Sequence, residues 1–162
     1  MEPIRYVDRL NEKYSAQGFP PYRWTVNSEA PFTPLEKPLS ECRVSMLTSG
    51  GISRCNAAPF DAEATNDFRV DPVDKDAPSD DFQIHDAFYD HRDADVDLNC
   101  VFPIDRLREL ADEGVIGGVA ARFWSGFMGR IYKRSVVMKE TAPALVEELH
   151  ADDVDLFLLV PA

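Results

Sequence analysis

The sequence is poor in basic residues: 17 Lys and Arg stand against 29 Asp and Glu, a net charge of −12. A surface of that sign repels phosphate backbones, so free-standing nucleic-acid binding is not expected. No apolar run approaches the ~20 residues needed to span a bilayer. The opening residues Met1-Glu2-Pro3-Ile4-Arg5 carry no signal-peptide core. These absences predict a soluble cytoplasmic protein without a membrane partner. Cysteine is scarce as well. Cys42, Cys55 and Cys100 form no C-x-x-C pair. An odd, widely spaced set argues against a disulfide framework and against a zinc site. Each reads as a small buried thiol. What is present is a 44% apolar content over 162 residues, enough for the core of one domain with an arm.

Residues 1–17 read as a helix, with Ile4, Val7, Leu10 and Tyr14 on one stripe. Gly18 ends it and Pro20-Pro21 prevents a restart. From Phe19 to Ser40 the chain is rich in proline, with Tyr22, Trp24 and Phe32 interspersed. This is expected to be an extended arm pinned by its aromatics to the body or to a partner. The predicted organisation is an arm over 1–41 and an α/β domain over 42–162.

That domain is expected to turn on Arg43 to Ile52. Val44, Met46 and Leu47 suit a strand buried on both faces. The run breaks at Thr48-Ser49-Gly50-Gly51, where hydroxyls and paired glycines let backbone N–H groups face a ligand. The competing reading is a solvated turn. A long acidic loop over 57–79 follows. Asp71, Asp74, Asp76, Asp80 and Asp81 lack the spacing of a calcium loop and read as solvated. Phe82 to His85 alternates like a short strand. Two histidines, His85 and His91, then sit among carboxylates. Such a set could supply metal ligands or a proton-transfer pair. A polar loop hydrogen-bonded to backbone is the preferred reading, with no metal.

Pro103 and Asp105 open a helix with Ile104, Leu107, Leu110 and Ala111 inward, closed by Gly114. A second strand is predicted over Val119–Phe123, and Trp124 to Gly129 as a loop. Thr141 is expected to cap the last helix, with Leu145 and Leu149 inward. Val154 to Val160 reads as a third buried strand. Alternating strands and helices imply parallel pairing with right-handed crossovers. The fold class is therefore α/β: a three-layer sandwich with a small, mainly parallel sheet, preceded by the N-terminal helix and Pro/aromatic-rich arm.

Several segments, taken in order, carry a likeness. They are Leu47 to Ile52, Ala58 to Asp61, Asn66 to Arg69, His85 to Asp90, Asp97 to Leu107, Gly114 to Gly117, Ser125 to Gly129 and Val154 to Ala162. Over about residues 42–162 the chain resembles the selenoprotein B family of glycine, sarcosine, betaine and D-proline reductases. The resemblance implies an oxidoreductase subunit that cleaves a substrate C–N bond reductively with a thiol or selenol. It implies a pyruvoyl-containing or thiol-reductant partner subunit and a small amine or amino-acid substrate. The redox residue, cysteine or selenocysteine, is expected beyond Ala162, after the strand matching Val154–Val160. No other cofactor is expected in this chain. One expectation is that the codon after Ala162 is a UGA read as termination. His85 and Asp90 are the catalytic candidates. Thr48, Ser49, Gly50, Gly51, Asn99 and Ser125 are the substrate-binding candidates.

Two readings compete with this one. A non-catalytic α/β subunit or binding module would dock a partner through the arm and the acidic face. A cysteine-dependent racemase or hydrolase would use Cys55 or Cys100, but neither has the local setting of a nucleophile.

Overall fold

Strand β1 (Arg43–Thr48) is the hub of the sheet, and every residue after Arg43 is buried. The computed structural model describes residues 4–21, 26 and 28–162. Successive strand residues face opposite sides, so one buried strand serves two cores. Val44 and Met46 join Val73, Phe102, Ile104, Leu107, Ile116 and Phe123 in the first. Leu47 joins Trp124 and Leu145 in the second, with Leu149 and Phe157 packed against it. Ile104 and Leu107 belong to helix α3 (Ile104–Asp112). Leu145 and Leu149 belong to helix α5 (Ala142–Ala151). A helix on each face makes the three layers.

Strand β7 (Leu156–Val160) runs parallel along one side of β1, from Val44 opposite Leu156 to Thr48 opposite Val160. The other side takes β5 (Gly118–Val119) and β6 (Arg122–Gly126), both parallel to β1. Strand β3 (Val70–Asp74) closes the far edge antiparallel to β6. A separate ribbon pairs β2 (Ile52–Arg54) with β4 (Phe82–Ile84). The architecture is thus mixed α/β with a mainly parallel sheet, as the alternation of elements predicts.

Several boundaries differ from those expected. The 57–79 loop contains β3, whose Pro72 is tolerated because an edge strand need not donate on its outer side. The second strand is interrupted at Ala120–Ala121 and continues through Trp124, Ser125 and Gly126, which composition had placed in a loop. Pairing with β1 and β3 overrides local propensity there. Ser45 Oγ bridges the interruption by donating to the Arg122 carbonyl at 2.8 Å. Thr141 does not cap α5: its φ of −71° and ψ of −43° are helical and its side chain makes no cap bond. The helix instead begins as α4 (Arg134–Val136) and reaches α5 through a π-helical turn, Val137–Thr141. Pro143 lacks an N–H and crowds the preceding turn, which the wider π turn accommodates. Strand β7 is an edge strand rather than a buried one, with Leu159 63% exposed. A short helix, α2 (Arg92–Val96), lies where a polar loop was expected.

The chain divides into two compact units, Met1–Pro34 and Leu35–Ala162. In the first, helix α1 (Tyr6–Ser15) is shorter than the 1–17 span and buries no residue. Tyr14 meets Phe19 edge-to-face at 6.1 Å. Phe32 is 89% exposed in the chain itself. Tyr22 and Trp24 lie outside the described residues. No helix of the described residues is long and apolar enough to cross a membrane.

Candidate functional site

Parallel strands β1, β6 and β7 end on one rim of the sheet, the position at which open α/β sheets hold their ligands. Strand β1 leaves the sheet at Thr48 and turns through Ser49-Gly50-Gly51 into β2. Thr48 Oγ1 donates to the Val101 carbonyl at 2.7 Å and accepts from the Gly50 N–H at 3.2 Å. Ser49 N–H donates to the Val160 carbonyl at 3.2 Å. Ser49 Oγ accepts from the Ala162 N–H at 3.1 Å. The turn after β1 and the tip of β7 are therefore laced together.

The segment after β4 covers this turn. His85 N–H donates to the Gly51 carbonyl at 2.9 Å. Gly51 has φ +67°, and a Cβ there would lie 2.8 Å from the His85 carbonyl carbon. Only glycine meets both conditions. Tyr89 Oη donates to the Gly50 carbonyl at 3.0 Å. The buried Asp86 accepts the Phe88 N–H at 2.7 Å, which fixes the bend that delivers Tyr89. Burial, with the Asp86 and Asp95 carboxylates nearby, pushes the Tyr89 phenol up to about 12. It stays a protonated donor across the neutral range.

The rim brings Thr48, Ser49, Gly50, Gly51 and His85 together. The N–H groups of Ser49 and Gly50 are already engaged within the protein, so the turn is not an open anion nest. His85 is half-buried, and its Nδ1 has no hydrogen-bond partner among the described residues. Among the described residues the buried Ser53 Oγ and Trp124 Nε1 share that condition. Ser125 lies in β6, fully buried, and donates to the Ile52 carbonyl at 2.6 Å. Its hydroxyl ties β6 to β2.

Two other candidates stand apart from this network. Asp90 is exposed and forms an ion pair with Arg92. Hydrogen bonds from the Arg92 guanidinium hold its carboxyl below the usual range. Asn99 Oδ1 accepts the Asp105 N–H at 3.1 Å, and its Nδ2 donates to Asp97 and Asp105. Those bonds serve the start of α3. Among the described residues neither side chain bonds to a rim group. Tyr89 was missed, although it lies inside the His85–Asp90 segment. Its only sequence signal is an aromatic with a hydroxyl in an otherwise small and acidic turn. An apolar groove of about 390 Å³ adjoins Ser49 and Val160, walled by Leu47, Phe127, Leu145, Phe157 and Leu159.

Over residues 5–162 the sequence matches the family described as glycine/sarcosine/betaine reductase selenoprotein B. It is 34% identical over 159 residues to the D-proline reductase subunit gamma of Acetoanaerobium sticklandii, covering 98% of this chain and 61% of that one. It is 33% identical over 125 residues to the sarcosine reductase complex component B subunit beta of Peptoclostridium acidaminophilum, covering 75% of this chain and 29% of that one. The chain thus spans less than two thirds of the length of either relative. No solved structure matches it at a significant level.

Proposed function

The chain belongs to the glycine/sarcosine/betaine reductase selenoprotein B family, and from that premise we propose that its rim is the substrate side of a reductase subunit that cleaves C–N bonds. The substrates are small amino acids or betaines. The partners are a pyruvoyl-containing subunit and a thiol reductant, and the setting is the cytoplasm. A thiol or selenol carried just after β7 supplies the nucleophile and, with a dithiol reductant, the two electrons of the cleavage.

The observation that carries this reading is the lacing of β7 to the turn after β1. Ala162 N–H reaches Ser49 Oγ, and Ser49 N–H reaches the Val160 carbonyl. A redox residue following that strand would meet substrate at the Ser49–Gly51 turn. The residues present fit the task. Half-buried His85, with its unpartnered Nδ1, holds or moves the proton that the leaving amine requires. Protonated Tyr89 fixes the Gly50 peptide.

The nucleotides after the Ala162 codon give the first test. A UGA with the reading frame resuming is expected; a UAA or UAG codon, or no reading frame resuming downstream, overturns the selenocysteine part. The decisive test is catalysis by the read-through protein with its pyruvoyl partner and a dithiol. Release of amine or ring-opened product from sarcosine, betaine or D-proline is expected, with a His85→Asn variant slowed about 10²-fold or more. No cleavage of any of these substrates would sink the reading.

A further inference from the structure

The rim's own backbone donors are largely engaged, so a carboxylate-bearing substrate needs another receptor. The loop after β6 presents one. Arg130 lies four residues beyond Gly126, its guanidinium stacked 4.9 Å from the Phe88 ring centroid. Phe88 adjoins Tyr89, whose hydroxyl is on Gly50. The loop is held in place: the Arg130 carbonyl accepts the Asn66 N–H at 3.1 Å, and Asn66 Oδ1 accepts the N–H groups of Tyr132 and Lys133. Arg130 itself sits at φ +64°, a backbone state that a non-glycine residue adopts only when its surroundings impose it.

The arginines of this fold show what a guanidinium edge does when it has an anion. Nε and Nη2 of Arg54, Arg69, Arg92 and Arg122 each clamp one aspartate, Asp81, Asp71, Asp90 and Asp152 respectively. Arg69 also donates to the Ala58 and Pro59 carbonyls. Arg130 differs. Its Nη1 donates to the Glu63 carbonyl at 2.8 Å and lies 3.4 Å from Glu63 Oε2. Its Nε and Nη2 have no hydrogen-bond partner among the described residues. Two parallel N–H groups match the two oxygens of a carboxylate, and the flanking Phe88 ring fixes the plane.

We propose that Arg130 is the specificity residue of the rim, its Nε/Nη2 edge receiving the carboxylate of a small amino acid or betaine. This inference rests on the reductase reading for its substrate class. The receptor offers the carboxylate end of a zwitterionic substrate two N–H donors on a chain of net charge −12, beyond the Nη1 that Glu63 already engages.

The test is calorimetric titration of the full chain with sarcosine and D-proline and with their carboxamides, for wild type, Arg130→Gln and Arg130→Lys. Wild type is expected to prefer each acid over its amide roughly ten- to hundredfold, the range of a charge-assisted bidentate pair. Arg130→Gln should bind acid and amide alike, and Arg130→Lys should keep part of the preference. Circular dichroism melting confirms that both variants are folded. An unchanged acid preference in Arg130→Gln overturns the inference and leaves the reductase reading standing. Equal binding of acid and amide by wild type, or binding of neither, overturns it too. The cleavage assay judges the reductase reading separately.

Discussion

At Gly51 two demands coincide: φ is +67°, and the place of a Cβ is taken by the His85 backbone. Gly51→Ala is therefore expected to cost roughly 2 kcal/mol or more, seen as a lower urea midpoint with an unchanged slope. Tyr89 gives a pH signature. Its folded value of about 12 lies above the ordinary phenol value, so its contribution is complete below about pH 10 and lost as pH rises through the folded value. Ultraviolet titration should show one tyrosine ionising late, and Tyr89→Phe should remove that step alone. If the titration curve of Tyr89→Phe keeps the late step, the burial argument for this phenol is wrong. Neither residue's role is legible in the sequence. The glycine pair reads as a ligand turn, but what crowds it arrives from a segment more than thirty residues on.

Helix α3 was readable almost entirely. Ile104 and Leu107 are buried, and Arg106, Glu109 and Asp112 face water, as the helical spacing predicts; Arg108, expected in water with them, is half-buried and donates to the Lys75 and Ala77 carbonyls. Its start was less so. Pro103 offers no cap, and Asn99 supplies the missing acceptor from the preceding 3₁₀ turn. Asn99→Ala should lower stability by about 1 kcal/mol and the melting temperature by roughly 2–4 °C. Substrate affinity should not change; a large fall in affinity with unchanged melting would return Asn99 to the binding set. Helix α5 was readable through Leu145 and Leu149, but its entry was misplaced. A proline near a helix start usually marks the first turn, whereas here a π turn carries the helix through it.

At the scale of the molecule, the sheet is closed by contacts across nearly the whole α/β unit. The Arg43 N–H donates to Asp155 Oδ2 at 2.7 Å, and Lys37 Nζ lies 2.6 Å from the same oxygen. These partners, the backbone donor first, hold the Asp155 carboxyl below its usual range. A depressed carboxylate contributes stability above its unfolded value, and that contribution is lost as pH falls through the folded value. Asp155→Asn should thus lower the urea midpoint at neutral pH and flatten its decline below about pH 4. Equal acid sensitivity in wild type and variant would show that this tie does not hold β7 to β1.

The sequence by itself determined the inward faces of β1, α3 and α5 and the alternation of strands with helices, because apolar spacing is a local property of the chain; that β7 lies at an edge and Trp124–Gly126 in a buried strand was decided by pairing. From it follow β1, α3, α5, the parallel sheet and the location of Ser49–Gly51 at a strand tip. Tertiary structure alone decided which polar groups meet there. Hydrogen bonds joining Ser49 to Ala162, Gly51 to His85, and Gly50 to Tyr89 link positions whose separation along the chain carries no periodic signal. The same physics kept Arg130 hidden: an arginine's free edge is defined by which partners the fold withholds from it.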